Sequence, residues 1–140
     1  MKNFIKLWVP VLVWLGLIFI GSSIGNVPRV GDETTDGLAH RVAHVLEFAV
    51  LGGLLLRALS KGNAITKREV IGVMIISGLY GASDEFHQRF TPGRSSEGLS
   101  VLFDVTGSAL GVWLYRQWKQ RTVKARLDIA SHEPHTLESR

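Results

Sequence analysis

At 140 residues the chain has room for a single domain, and no internal repeat of the solenoid kind is visible. With no cysteine it has neither disulfides nor thiolate metal sites. A hydrophobic content of 46% with a formal net charge of +4 does not by itself separate a soluble helical protein from a membrane one.

The distribution of the apolar residues does separate them. From Leu7 to Ile24 the chain reads LWVPVLVWLGLIFIGSSI, without one charged side chain. A helix rises about 1.5 Å per residue, so roughly twenty residues cross a hydrocarbon core of about 30 Å. Lys2 and Lys6 precede this run. Gly21 and Ser23 would suit a signal-peptide cleavage site, but the run exceeds the roughly 7–15 residues of a signal core. Further apolar stretches follow it, so an uncleaved anchor is the better reading.

Those stretches are Val45–Leu59, interrupted by Glu47 and Arg57, then Val70–Ser83, then Leu99–Tyr115 with Asp104 inside it. Between the first two, SKGNAITKRE at 60–69 places Thr66 as a helix cap with Glu69 three residues on. Thr91-Pro92-Gly93 is a tight turn, and GNVPRVGDETTDG at 25–37 is a polar loop. The expected fold is an all-α membrane protein with four transmembrane helices, at 4–24, 38–60, 67–88 and 97–118. These form one domain over residues 1–118. Residues 119–140 form a polar, basic tail, read as solvated in preference to a specific anionic-lipid contact.

Lysine and arginine set the orientation. With the N-terminus inside, only Arg29, Arg41, Arg89 and Arg94 fall on the outer side, and the other twelve of the sixteen fall on the inner side. All three inner segments share the bias. Both termini are therefore expected in the cytoplasm, in a multi-pass protein of a cell membrane. The basic charge is a topology signal, and no nucleic-acid partner is expected.

This topology brings the outer ends of helices two, three and four together. His40, His44 and Glu47 follow i, i+4, i+7 spacing on one face of the second helix. The third ends in Asp84, Glu85, His87 and Gln88, and the fourth carries Glu97, Ser100, Asp104, Gly107 and Gly111 after Arg94. Gly107 and Gly111 form a small-xxx-small stripe that lets a neighbouring helix approach. Groups at the helix ends, such as His40, Arg89 and Glu97, can reach the headgroups. His44, Glu47 and Asp104 lie deeper, where a charge costs about 2.5–3.5 kcal/mol on insertion scales. Glu47, Asp84, Glu85 and Asp104 outnumber Arg41 and Arg94. The surplus negative charge asks for protons, a cation or a basic ligand group.

Taken together these motifs resemble the VanZ-like family of small membrane proteins, over most of the chain to about Tyr115. IFIGSSIG at 18–25 is similar to the end of that family's first helix. HRVAHVLEFAVLGGLLL at 40–56 is similar to its second, with Arg41, His44 and Glu47 at positions where members commonly carry arginine, histidine and a polar or acidic residue. LYGASDEFHQRFTPGRSS at 79–96 resembles the family hallmark, here Asp84, Glu85, His87, Gln88 and Arg94. SVLFDVTGSALG at 100–111 resembles the fourth helix but departs at Ser100, where aspartate is common, and at Asp104, where asparagine often stands. The resemblance implies an integral protein of the bacterial cell envelope. The family takes its name from a protein associated with resistance to the glycopeptide teicoplanin.

Three functions compete for the cluster of His44, Glu47, Asp84, Glu85, His87, Arg94 and Asp104. The favoured one acts on or binds a lipid-linked envelope component, with Arg41 and Arg94 suited to phosphate or carboxylate and a contribution to glycopeptide resistance. Its partners would be membrane lipids and a lipid-linked cell-wall precursor or a glycopeptide. The second is an intramembrane enzyme acting on a lipid-linked phosphate. No cofactor is required by the residues, but a divalent metal would find candidate ligands in His44, Glu47, Glu85, His87 and Asp104. That spacing matches no established metal signature. The third is a non-catalytic scaffold in which the cluster only orders the bundle and Gly107 and Gly111 mediate contact; an oligomer is a further candidate partner state.

Overall fold

The computed structural model of the chain describes residues 2–24, 33–92 and 100–132. They form four helices and, among the described residues, no strand: α1 (Lys2–Ser23), α2 (Glu33–Ser60), α3 (Lys67–Gln88) and α4 (Ser100–His132). The bounds of α3 coincide with those expected from the sequence. Two helices, α1 over Lys2–Ser23 and α2 over Gly37–Ser60, are long and apolar enough to cross a membrane. α3 has a comparable length, but Lys67, Arg68 and Glu69 at one end and Asp84 and Glu85 at the other shorten its apolar stretch.

Local signals account for the helix limits. α1 contains Pro10, which removes one backbone donor, a defect that helices packed in a membrane tolerate. α2 stops where Lys61 and Gly62 take positive φ values of 49° and 82°, a left-handed turn. The Lys119 ammonium of α4 clasps this turn, donating to the carbonyls of Gly62 and Asn63. α3 starts with the Thr66 backbone N–H donating to Glu69 Oε2 at 2.6 Å, the glutamate half of the expected capping box. α4 runs past 118 to His132. Its apolar pattern ends there, but the following Lys, Gln, Arg and Ala residues favour helix in water as well.

α2 and α4 approach most closely because their contact is lined by small residues. A Cβ on Gly107 or Gly111 would run into the carbonyl of Val45 or Ala49, and one on Gly52 would meet the Ser108 backbone. Ser108 Oγ donates to Phe48 O at 3.2 Å across the same seam. Long-range hydrogen bonds tie α1 on. Trp14 Nε1–H donates to Glu47 O at 2.8 Å, and Tyr80 O–H donates to Leu15 O at 2.6 Å.

The bundle inverts the partition of a water-soluble protein. Leu12, Phe19 and Ile20 of α1, Leu46 of α2, Ile71, Ile75 and Leu79 of α3, and Leu102 and Trp113 of α4 are exposed. His44, Asp84, Glu85, Gln88 and Asp104 are buried beside the apolar core of Phe48, Leu51, Leu55, Leu56 and Val73. Leaving such large side chains in water would forgo about 1.5–3 kcal/mol each, so this exterior suits hydrocarbon.

Candidate functional site

The buried ionisable residues His44, Asp84, Glu85 and Asp104 lie toward one end of the bundle, where α1 and α3 finish and α2 and α4 begin. The glycine seam between α2 and α4 sets the key distance there. It brings His44 Nδ1 to 2.8 Å from Asp104 Oδ1 across sixty positions of sequence, with side-chain exposures of 7% and 1%. The opposite ring nitrogen, His44 Nε2, lies 3.2 Å from His40 Nε2, and the two rings meet edge to face. With the Nδ1–H donating to the carboxylate, Nε2 of His44 is left as an acceptor for an N–H of His40. His40 thus joins the pair instead of standing apart in the headgroups.

α3 closes the other side of Asp104. A Cβ on Gly81 would fall 2.5 Å from Asp104 Oδ2, so the carboxylate rests on a bare backbone. One turn on, Asp84 Oδ2 accepts from Gln88 Nε2 at 2.7 Å. Asp84 and Glu85 are 4% and 5% exposed, yet Asp84 Oδ1 and Glu85 Oε1 have no hydrogen-bond donor among the described residues.

The remaining candidates are placed differently. His87 faces α1: its Nε2 is 3.0 Å from Ser23 Oγ and its ring stacks on Phe19. Glu47 is half-buried at the α1–α2 contact, and Arg41 is exposed with its guanidinium 5.8 Å from the Phe103 ring centroid. Arg94 and Glu97 lie outside the described residues. Among the described residues, no three His, Asp or Glu side chains form a group that could hold a metal ion.

Sequence reasoning left out Gly81 and Ser23, and it named Gln88 in the polar stretch without giving it a role. Gly81 had a readable signal, since a glycine inside a helical apolar stretch marks a close approach. Ser23 had none, because its partnership with His87 depends on how α1 docks.

This arrangement can do two things. The Asp104–His44–His40 chain holds an imidazole in one tautomer, and the unpartnered carboxylate oxygens can accept hydrogen bonds from a ligand. Residues 7–120 match the family model described as VanZ/LLP1. No curated protein and no solved structure matches the chain. The family match covers most of the chain, including every residue of the buried pair and of the α3 carboxylates, and the chain belongs to the VanZ-like family.

Proposed function

We infer that this VanZ-like protein crosses the bacterial cytoplasmic membrane with all four helices, keeps both termini in the cytoplasm, and binds the polar head of a lipid-linked envelope component at its outer end. The apolar exterior of α3 and α4 supports two further spans, and the lysine and arginine distribution supports the orientation. The observation that carries the binding role is the pair of buried acceptors, Asp84 Oδ1 and Glu85 Oε1, without donors. Each such group costs about 1–3 kcal/mol or more when ionised, and a ligand's hydroxyl or ammonium hydrogens would offset that cost. Arg41, with Arg94 from the adjoining segment, supplies guanidinium groups for a phosphate or carboxylate on the same ligand. A cell-wall precursor combines these features, and holding it would alter glycopeptide susceptibility.

A second reading is supported by the His44–Asp104 geometry. A carboxylate at Nδ1 makes Nε2 basic, so a substrate that displaced the His40 N–H from it would meet the arrangement of a general base, and a lipid-linked phosphate ester would be that substrate. A metal-dependent form of this reading needs ligands beyond those that the described residues bring together.

The test is binding of a lipid-linked cell-wall precursor to the purified chain in nanodiscs, alongside teicoplanin susceptibility of cells producing it. Binding that falls at least about tenfold in Asp84→Asn and Glu85→Gln at unchanged thermal stability is expected. Precursor binding indistinguishable from that of ordinary phospholipid would contradict the reading. Stability and function falling together in Glu85→Gln would favour the scaffold instead.

A further inference from the structure

The opposite end of the bundle carries a groove that the outer-end reading does not use. Between α3 and α4 an apolar channel of about 470 Å³ runs along Val70, Met74, Ala109, Val112 and Trp113. It opens at Arg116 into a second channel of about 430 Å³, walled by Ile65, Val123 and Leu127 and edged by Lys119 and Lys124, with Asp128 at its far end. Arg116 also borders a third depression, of about 260 Å³, beside Lys67 and Val70. Arg116 therefore lines all three of these hollows.

The face of α4 that lines them changes character in register. Ala109, Val112 and Trp113 are apolar, Arg116 follows one turn on, and Lys119 and Lys124 come next among Val123 and Leu127. Arg116 and Lys124 are exposed, and Val123, Leu127 and Ile129 are 50%, 65% and 67% exposed on the helical extension. Val123 and Leu127 wall the second channel beside Lys119 and Lys124, so its apolar lining and its cations lie on one side of α4.

We propose that this groove is a binding site for an anionic phospholipid. An acyl chain lies along Val70, Met74 and Trp113, and the phosphate sits at Arg116, with Lys67 and Lys124 lining the two adjoining hollows. Charge complementarity selects this occupant. An apolar slot that ends at Arg116, with Lys67 and Lys124 in the hollows that share this residue, matches a negatively charged lipid headgroup and leaves a zwitterionic lipid with an unneutralised ammonium among like charges. Lys119 is already committed to the Gly62 and Asn63 carbonyls, so a bound headgroup would also brace the α2–α3 turn.

Native mass spectrometry of the full chain released from mixed micelles tests the site, with phosphatidylglycerol and phosphatidylcholine offered at equal concentration. Retention of phosphatidylglycerol alone is expected. Loss of two cations in Arg116→Gln/Lys124→Gln should weaken it about thirtyfold. Ala109→Phe fills the apolar slot without changing charge and should release the same lipid, with circular dichroism confirming an unchanged helix content. Equal retention of both lipids, or phosphatidylglycerol retention insensitive to both variants, would overturn the proposal. Displacement by inorganic phosphate would reduce the site to a bare anion site and overturn the groove. A lipid-free dimer would show that a second copy fills the slot instead. None of these outcomes bears on precursor binding at the outer end, which the α3 carboxylates test separately.

Discussion

The two ends of this bundle use charge in opposite ways. At one end His44, Asp84, Glu85 and Asp104 are buried, and a shift of an ångström would break the contact between His44 and Asp104. At the other, Arg116 and Lys124 are exposed around open grooves, where a charge acts over several ångströms and tolerates movement. Buried polar chemistry needs a rigid frame, and the glycine seam of α2 and α4 supplies it. Exposed basic chemistry needs only a helix to hang on. Breaking the packed frame of the first end, the His44–Asp104 pair or the glycine seam, should therefore cost stability, whereas substitutions at the second end should cost binding alone.

The largest effect is expected for Asp104→Ala, which leaves His44 buried without its carboxylate. Breaking a buried pair costs about 3–5 kcal/mol, read as a shift in denaturant unfolding of the detergent-solubilised protein. Asp104→Asn keeps an acceptor for His44 and should lose less. Gly111→Ala comes next, because its Cβ would press on the Ala49 carbonyl; overpacking of this kind costs about 1–3 kcal/mol. Gly53→Ala is its internal control. The added Cβ would sit 3.7 Å from the nearest atom, and the gain in helix propensity should leave stability equal or higher. Tyr80→Phe removes the bond to Leu15 and should cost about 1 kcal/mol in the same unfolding measurement. Arg116→Gln/Lys124→Gln should change stability by less than about 0.5 kcal/mol while lowering lipid retention. A stability loss there as large as at Asp104 would erase the contrast between the two ends.

Much of this was legible in the sequence, and the boundary of legibility is physical. The uncharged run of α1 and the spacing of His40, His44 and Glu47 are local patterns, and local periodicity predicts helices and faces well. The expected and observed bounds of α3 agree because Thr66 and Glu69 mark one end and Pro92, which cannot continue a helix, follows the other. The continuation of α4 to His132 was missed because apolarity marks where a helix leaves hydrocarbon, not where it ends. In the site, the approach of His44 to Asp104 was readable only as shared end and shared depth. Its distance depends on the α2–α4 register. The turning of His87 toward Ser23 and Phe19 depends on the docking of α1, which no spacing encodes.

The central claim is that the polar end faces outward from a membrane that the bundle crosses. The chain lacks cysteine, so single cysteines at Asn63 and Pro92, on the turns at opposite ends of α3, can be labelled in intact cells with a membrane-impermeant maleimide. Labelling at position 92 and not at 63 is the predicted result. Labelling at 63 and not at 92 would turn the protein over and move the His44–Asp104 end into the cytoplasm. Protection of both in intact cells, with both labelled after the membrane is opened, would place the two turns on the same side and contradict the crossing of α3.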